Sequence, residues 1–233
     1  MAEFRQTRFE ILPPVIKNLI IINVLVFIIQ RTFSHGTDNI TVVENLFALH
    51  AWQSPLFKPW QFFTYLFLHG SIEHILFNMY ALWMFGSVLE NLWGPKKFLI
   101  FYFVCGIGAA LCHMTVLYFE IRPGVEAFYQ LSGGQQQEVI NELYEPTLGA
   151  SGAIFGCLAA FGYLFPNSLM YIIFVPIPVK AKWIVIAYIG IELFLALKNS
   201  AGDNVAHVAH LGGAIFGLIL VYFWNKNNRQ RFY

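Results

Sequence analysis

The chain has 233 residues, enough for one domain or at most two. Hydrophobic residues make up 58% and charged residues only 12%, about half the charged share of an ordinary soluble domain. A soluble protein of this size lacks the polar surface to cover such a composition, and a net charge of +1 offers no basic footprint for nucleic acid. What remains is a polytopic membrane protein.

The first apolar run, Val15–Phe33, follows Pro13-Pro14. It is too long for a signal-peptide core, and no small-x-small cleavage site follows it, so it is expected to be a retained transmembrane helix. Further spans are expected at Ile72–Leu92, Phe98–Phe119, Leu148–Phe165, Lys182–Leu197 and Val205–Trp224. This makes an all-α, six-span bundle over residues 15–224. Residues 1–14 and 225–233 form short cytoplasmic ends. Leu169–Pro178 is apolar but short and broken by Pro176 and Pro178, so an interfacial loop is expected.

Six spans put both termini on one side. That side carries Arg5, Arg8, Lys17, Lys96, Lys97, Lys180, Lys182, Lys226, Arg229 and Arg231; the other carries Arg31, Lys58, Arg122 and Lys198. The excess of positive charge puts both termini in the cytoplasm. With no transit-peptide pattern at the N-terminus, a bacterial cell membrane is expected.

Two outer connections are long. His35–Ser71 is rich in bulky apolar residues, among them Leu46, Trp52, Trp60 and Phe63, and reads as an element half-sunk in the outer interface. Glu120–Thr147 holds five Glu, with Arg122 as its one cation. Ser132 is a possible cap there for a surface helix with Val139, Ile140, Leu143 and Tyr144 on one face. Cys105, Cys112 and Cys157 show no CxxC pair and no metal spacing, so they read as small buried residues. No metal or cofactor is expected.

Polar groups inside spans are costly and therefore functional candidates. His74 and Asn78 are four residues apart, hence on one helical face near the outer end of the second span. Ser151 opens the fourth span and His210 lies near the outer end of the sixth. All four share one depth. Gly152 and Gly156 form a GxxxG beneath Ser151, and Gly213 and Gly217 form another beneath His210. Such seams let two backbones approach closely. A serine hydroxyl needs a base to become a nucleophile, and a neutral imidazole can take its proton and later protonate the leaving amine. The Asn78 amide, the His74 ring N–H and the Ser151 backbone N–H could hold the oxyanion. No acid shares this depth on the sixth span, since Asp203 is seven residues before His210. A Ser–His dyad without an acidic third member is therefore expected.

His207 is a rival base or a supporting group, and His69 could line the cavity mouth. Glu192 is the one acid expected deep in a span, as a structural partner or a gating contact. His35, His50 and His113 are expected at the interface. A transporter would want broken helices near the midplane and charges along a path, which this pattern lacks.

The strings His69-Gly-Ser-Ile-Glu-His74-Ile-Leu-Phe-Asn78, Gly149-Ala-Ser151-Gly152 and Ala209-His210-Leu-Gly-Gly213 resemble those of the rhomboid family of intramembrane serine proteases. The resemblance covers roughly Trp52–Tyr222. It implies a six-helix bundle with a water-filled cavity open to the outside, Ser151 as nucleophile, His210 as base, and His74 and Asn78 in the oxyanion hole. Gly149, Gly152 and Gly213 support that site. It further implies a membrane-embedded first loop around Trp60, a lateral entrance near the fifth span, and membrane lipids and transmembrane-helix proteins as partners. The alternative within the resemblance is an escort protein that binds membrane helices without cutting them. One departure stands out: many rhomboids carry Trp-Arg in the first loop, whereas Trp60 is followed by Gln61. The acidic loop also looks longer than in the compact bacterial form.

Overall fold

A computed structural model describes residues 9–33, 42–172, 175–198 and 204–227. The first helix, α1 (Pro14–Thr32), starts on a proline whose missing N–H costs nothing there. Its next two free N–H groups, of Val15 and Ile16, donate to the two carboxylate oxygens of Glu90, each at 2.9 Å. Two short helices follow, α2 (Val42–Phe47) and α3 (Gln61–Thr64). Ser71 then caps α4 (Ile72–Ala81), its hydroxyl accepting from the His74 N–H at 3.1 Å. A π turn at Leu82–Gly86 carries α4 into α5 (Ser87–Trp93). Gly86 sits there because a Cβ would lie 2.5 Å from the Ile16 side chain of α1.

The longest helix, α6 (Pro95–Glu126), has 32 residues, about 48 Å at 1.5 Å per residue. It overruns the expected span Phe98–Phe119 at both ends. The acidic connection folds as α7 (Gly133–Tyr144), with Ser132 at its start and the Gln135 side-chain oxygen accepting from the Ser132 N–H at 3.1 Å. Val139 is its buried residue and packs where Gly124 of α6 leaves room.

The site-bearing half comprises α8 (Ser151–Leu164), β1 (Leu169–Ile172), β2 (Val175–Lys180), α9 (Ala181–Leu197) and α10 (Asn204–Asn227). The expected loop at Leu169–Pro178 is instead an antiparallel hairpin, with Leu169 opposite Lys180 and Tyr171 opposite Pro178. A two-stranded ribbon has only edge strands, where proline is tolerated, and the Val and Ile residues favour extended backbone.

Four of the described helical stretches are long and apolar enough to cross a membrane: Pro14–Thr32, Ile72–Trp93, Pro95–Glu126 and His207–Lys226. α8 is apolar but has 14 residues, and α9 has 17. Exposed Ile, Leu and Phe on α1, α9 and α10 form the apolar outer surface of such a bundle. Inside, Phe98, Phe101 and Tyr102 of α6 are fully buried. α8 and α10 meet on glycine. A Cβ at Gly217 would lie 2.7 Å from the Gly156 carbonyl oxygen, and one at Gly213 would overlap the Gly152 carbonyl. On the other side of α8, Gly156 faces Cys105 and Gly152 faces Ala109, both on α6.

The Gly213→Ala change should therefore cost about 1–3 kcal/mol through overpacking against backbone that cannot yield. Gly190→Ala on α9, where a Cβ meets nothing within 4 Å, should be neutral or slightly stabilising. Thermal midpoints of the two variants in detergent check this; equal midpoints would refute the close seam.

Candidate active site

Gly149 holds φ at +131°, a backbone state that a side chain would strain, and Ala150 then leads into α8 at Ser151. The seam beneath brings the second turn of α10 over this start. Nε2 of His210 and Oγ of Ser151 lie 2.7 Å apart. The imidazole is stacked on Phe155, one turn along α8, with ring centroids 4.3 Å apart and planes 6° from parallel. Phe155 thus fixes the ring plane while the seam fixes the distance.

The other face of His210 differs from expectation. An acid does accompany it, contributed by α9 rather than by its own helix. Oε2 of Glu192 lies 3.1 Å from Nδ1 of His210 and 2.6 Å from Nδ1 of His207. His207 and His210 are three residues apart on α10, so both rings turn toward α9. Glu192 is buried, with 8% of its surface exposed. Glu192, His207 and His210 also form a group of donor atoms close enough to share a metal ion.

His74, Asn78, Ser151 and His210 line one cavity of about 560 Å³. Its remaining wall is largely apolar, including Phe77, Met84, Phe85, Leu158 and Tyr188, with Met170 and Tyr171 of the hairpin at its edge. A Cβ at Gly149 would lie 2.9 Å from His74 Nε2 and 3.7 Å from Ser151 Oγ, so glycine here lets the imidazole approach the serine loop. Nδ1 of His74 accepts from the Gly70 N–H at 3.4 Å, which puts the proton of the neutral ring on Nε2.

A Rhomboid domain family model matches residues 56–227, which span all of these groups. The chain belongs to the rhomboid family. It is 30% identical over 180 residues to "Rhomboid protease GluP" of Bacillus subtilis, covering 76% of this chain and 29% of that protein. It is 29% identical over 215 residues to "Rhomboid protease AarA" of Providencia stuartii, covering 87% of this chain and 69% of that protein. It is 30% identical over 216 residues to the human "Presenilin-associated rhomboid-like protein, mitochondrial", covering 91% of this chain and 48% of that protein. This rhomboid therefore matches relatives named as proteases, and others named as mitochondrial.

Three histidines expected at surfaces sit elsewhere. His50 and His69 are fully buried and His113 is 3% exposed. His69 lies behind the cavity rather than at its mouth, with its ring centroid 5.0 Å from that of His74. His113 Nε2 meets the Thr147 hydroxyl at 2.6 Å and ties α6 to the strand-like residue before the serine loop. His35 lies outside the described residues. The His113–Thr147 contact joins residues 34 positions apart, which helical periodicity does not reveal.

Gln61, where many rhomboids have arginine, is fully buried and knits the first loop. Its side-chain oxygen accepts from the Lys58 N–H at 3.1 Å and the His50 N–H at 3.3 Å, and its amide donates to the Leu56 carbonyl at 2.9 Å. Trp60 Nε1 donates to the Leu46 carbonyl at 2.9 Å. The loop is anchored by a neutral amide rather than by a cation.

Burial, reinforced by the His74 ring, pulls the His69 imidazole down from its ordinary 6.5 to about 3. The unfolded chain takes up that proton near 6.5 and the folded chain does not. The stability this neutral ring provides is complete above pH 6.5 and is lost as pH falls toward 3, by up to about 1.4 kcal/mol per pH unit. Thermal midpoints should fall between pH 7 and pH 5, and less steeply in His69→Leu. Identical slopes would contradict this assignment.

Proposed function

We propose that this rhomboid is a serine endopeptidase that cleaves transmembrane segments of membrane-anchored proteins near the outer membrane surface. The observation that carries the proposal is the 2.7 Å contact between Ser151 Oγ and His210 Nε2 in an apolar-walled cavity. Ser151 Oγ attacks the scissile carbonyl carbon as its proton passes to His210 Nε2. Glu192, beside Nδ1, keeps the ring in the tautomer whose Nε2 lone pair faces the serine and balances the imidazolium that forms. The dyad is thereby extended to a third, positioning group. The oxyanion is held by the Ser151 N–H, the Asn78 amide and His74 Nε2–H. When the C–N bond breaks, His210 returns the proton to the leaving amine. Water then attacks the acyl-enzyme, again with His210 as base.

A peptide bond inside a helix is shielded by its own hydrogen bonds. The substrate is therefore a segment that unwinds locally, with a small residue that enters beside Phe77 and Tyr188. Six spans are proposed over residues 15–224, with α8 and α9 as the two shorter ones. The buried α8 can cross the bundle centre at 14 residues because protein and a wet cavity cover its ends, and the outward-facing α9, with 17 residues, is at the lower limit of a spanning helix. The exposed Leu46, Trp52, Trp60 and Phe63 support a first loop sunk in the outer leaflet. The positive residues gathered on the side of both termini support a cell membrane with cytoplasmic ends, residues 1–14 and 225–233.

Ser151→Ala should abolish cleavage of a single-span substrate in proteoliposomes while leaving expression intact. Asn78→Ala should lower kcat roughly 10²–10³-fold. Glu192→Gln should lower kcat roughly 10²–10⁴-fold with KM nearly unchanged, the split expected of a group that acts through the base. Normal turnover by Ser151→Ala would end the assignment. A substrate that co-purifies uncleaved with the wild type would favour an escort role.

A further inference from the structure

α9 and α10 gather three metal-ligating side chains behind the His210 ring, on the face turned away from Ser151. One donor atom from each of Glu192, His207 and His210 lies within 4.8 Å of the other two. Glu192 Oε2 is already 3.1 Å from His210 Nδ1 and 2.6 Å from His207 Nδ1. A tetrahedral zinc ion with ligands at ~2.0–2.1 Å separates its donors by roughly 3.3 Å, so the two Glu192 contacts open by less than about 1 Å and the two imidazole donors, which lie within 4.8 Å of each other, close by up to about 1.5 Å to admit the ion. One carboxylate and two imidazoles are a donor set for zinc and its first-row neighbours, whereas magnesium and calcium require oxygen shells. Three protein ligands leave a fourth position for water. The cluster is not sealed, since the three side chains keep 11%, 13% and 20% of their surface.

We propose that Glu192, His207 and His210 form a binding site for a zinc-type divalent cation, and that occupancy switches the proteolytic reaction off. The inhibitory effect rests on the protease reading above; the binding rests on donor geometry alone. A metal on His210 takes the Nδ1 lone pair, so the single proton of the neutral ring resides on Nε2. Nε2 then donates to Ser151 Oγ and has no lone pair to accept its proton. Glu192, turned to the ion, no longer balances an imidazolium. No covalent bond changes, so a chelator restores activity.

The test uses the purified full chain and zinc itself. Calorimetry on the Ser151→Ala variant, which still has all three ligands, should show one site of micromolar affinity for zinc and none for magnesium. In that background His207→Asn and Glu192→Gln should each weaken binding at least about tenfold. With Ser151 intact, zinc should stop substrate cleavage and EDTA should restore it. His207→Asn, normalised to its own metal-free rate, should need at least about tenfold more zinc. Equal zinc affinity in Ser151→Ala with and without His207→Asn, or no binding at all, would overturn the site. Binding with undiminished cleavage would overturn the switch. A chain that binds zinc but cleaves nothing in EDTA would overturn the protease reading and leave the metal site standing.

Discussion

The structure depends on how closely two helix backbones can approach in a medium that does not push them together. Lipid is as apolar as leucine, so helix association inside a membrane draws on packing and hydrogen bonds rather than on water exclusion. Here α8 and α10 meet at Gly152, Gly156, Gly213 and Gly217, with no side chain between the backbones. α6 closes the other side through Ala109, Cys105 and Cys112, and Phe216 of α10 fills the space over Gly108. That three-helix contact sets the height and separation of everything above it. Ser151 and His210 sit one residue before Gly152 and three before Gly213, so the seam that joins the helices also brings hydroxyl to imidazole.

Several of the buried polar groups come with partners, which offset the cost of burying them. Glu90 is held by the free N–H groups at the start of α1, where the helix dipole favours an anion. Gln30 on α1 accepts from the His69 N–H at 3.0 Å and donates to Glu44 at 3.1 Å. Gln61 does the same for the first loop. Glu192 lies between two imidazoles. Glu90 and Gln30 join segments far apart in sequence and Gln61 ties the first loop to itself, so the polar interior positions the outer loops while the glycines position the helices.

Much of this was legible in the residues. Hydropathy and the GxxxG spacings locate the helices and their contact, and the shared depth of His74, Asn78, Ser151 and His210 follows from those helices. What stayed hidden depends on contacts between elements. Glu192 on α9 pairs with His210 on α10, and no pattern within the sixth span itself carries that contact. Its signal was present all the same: an acid alone in an apolar run needs a cation or a donor nearby, and His207 and His210 were the available ones. Glu90, inside the second span, carried the same signal. His50 and His113 look interfacial by position and His69 looks set for the cavity mouth, yet all three are buried. The hairpin at Leu169–Lys180 was obscured by its two prolines, which exclude a helix but not an edge strand.

The claim at the centre is that His210 makes Ser151 nucleophilic. A fluorophosphonate reacts only with an activated hydroxyl, so mass-spectrometric mapping of its adduct reads that activation directly, without a substrate. The account predicts one adduct, on the peptide carrying Ser151, and its loss in His210→Ala. An adduct on another residue, or undiminished labelling of Ser151 without the imidazole, would contradict it.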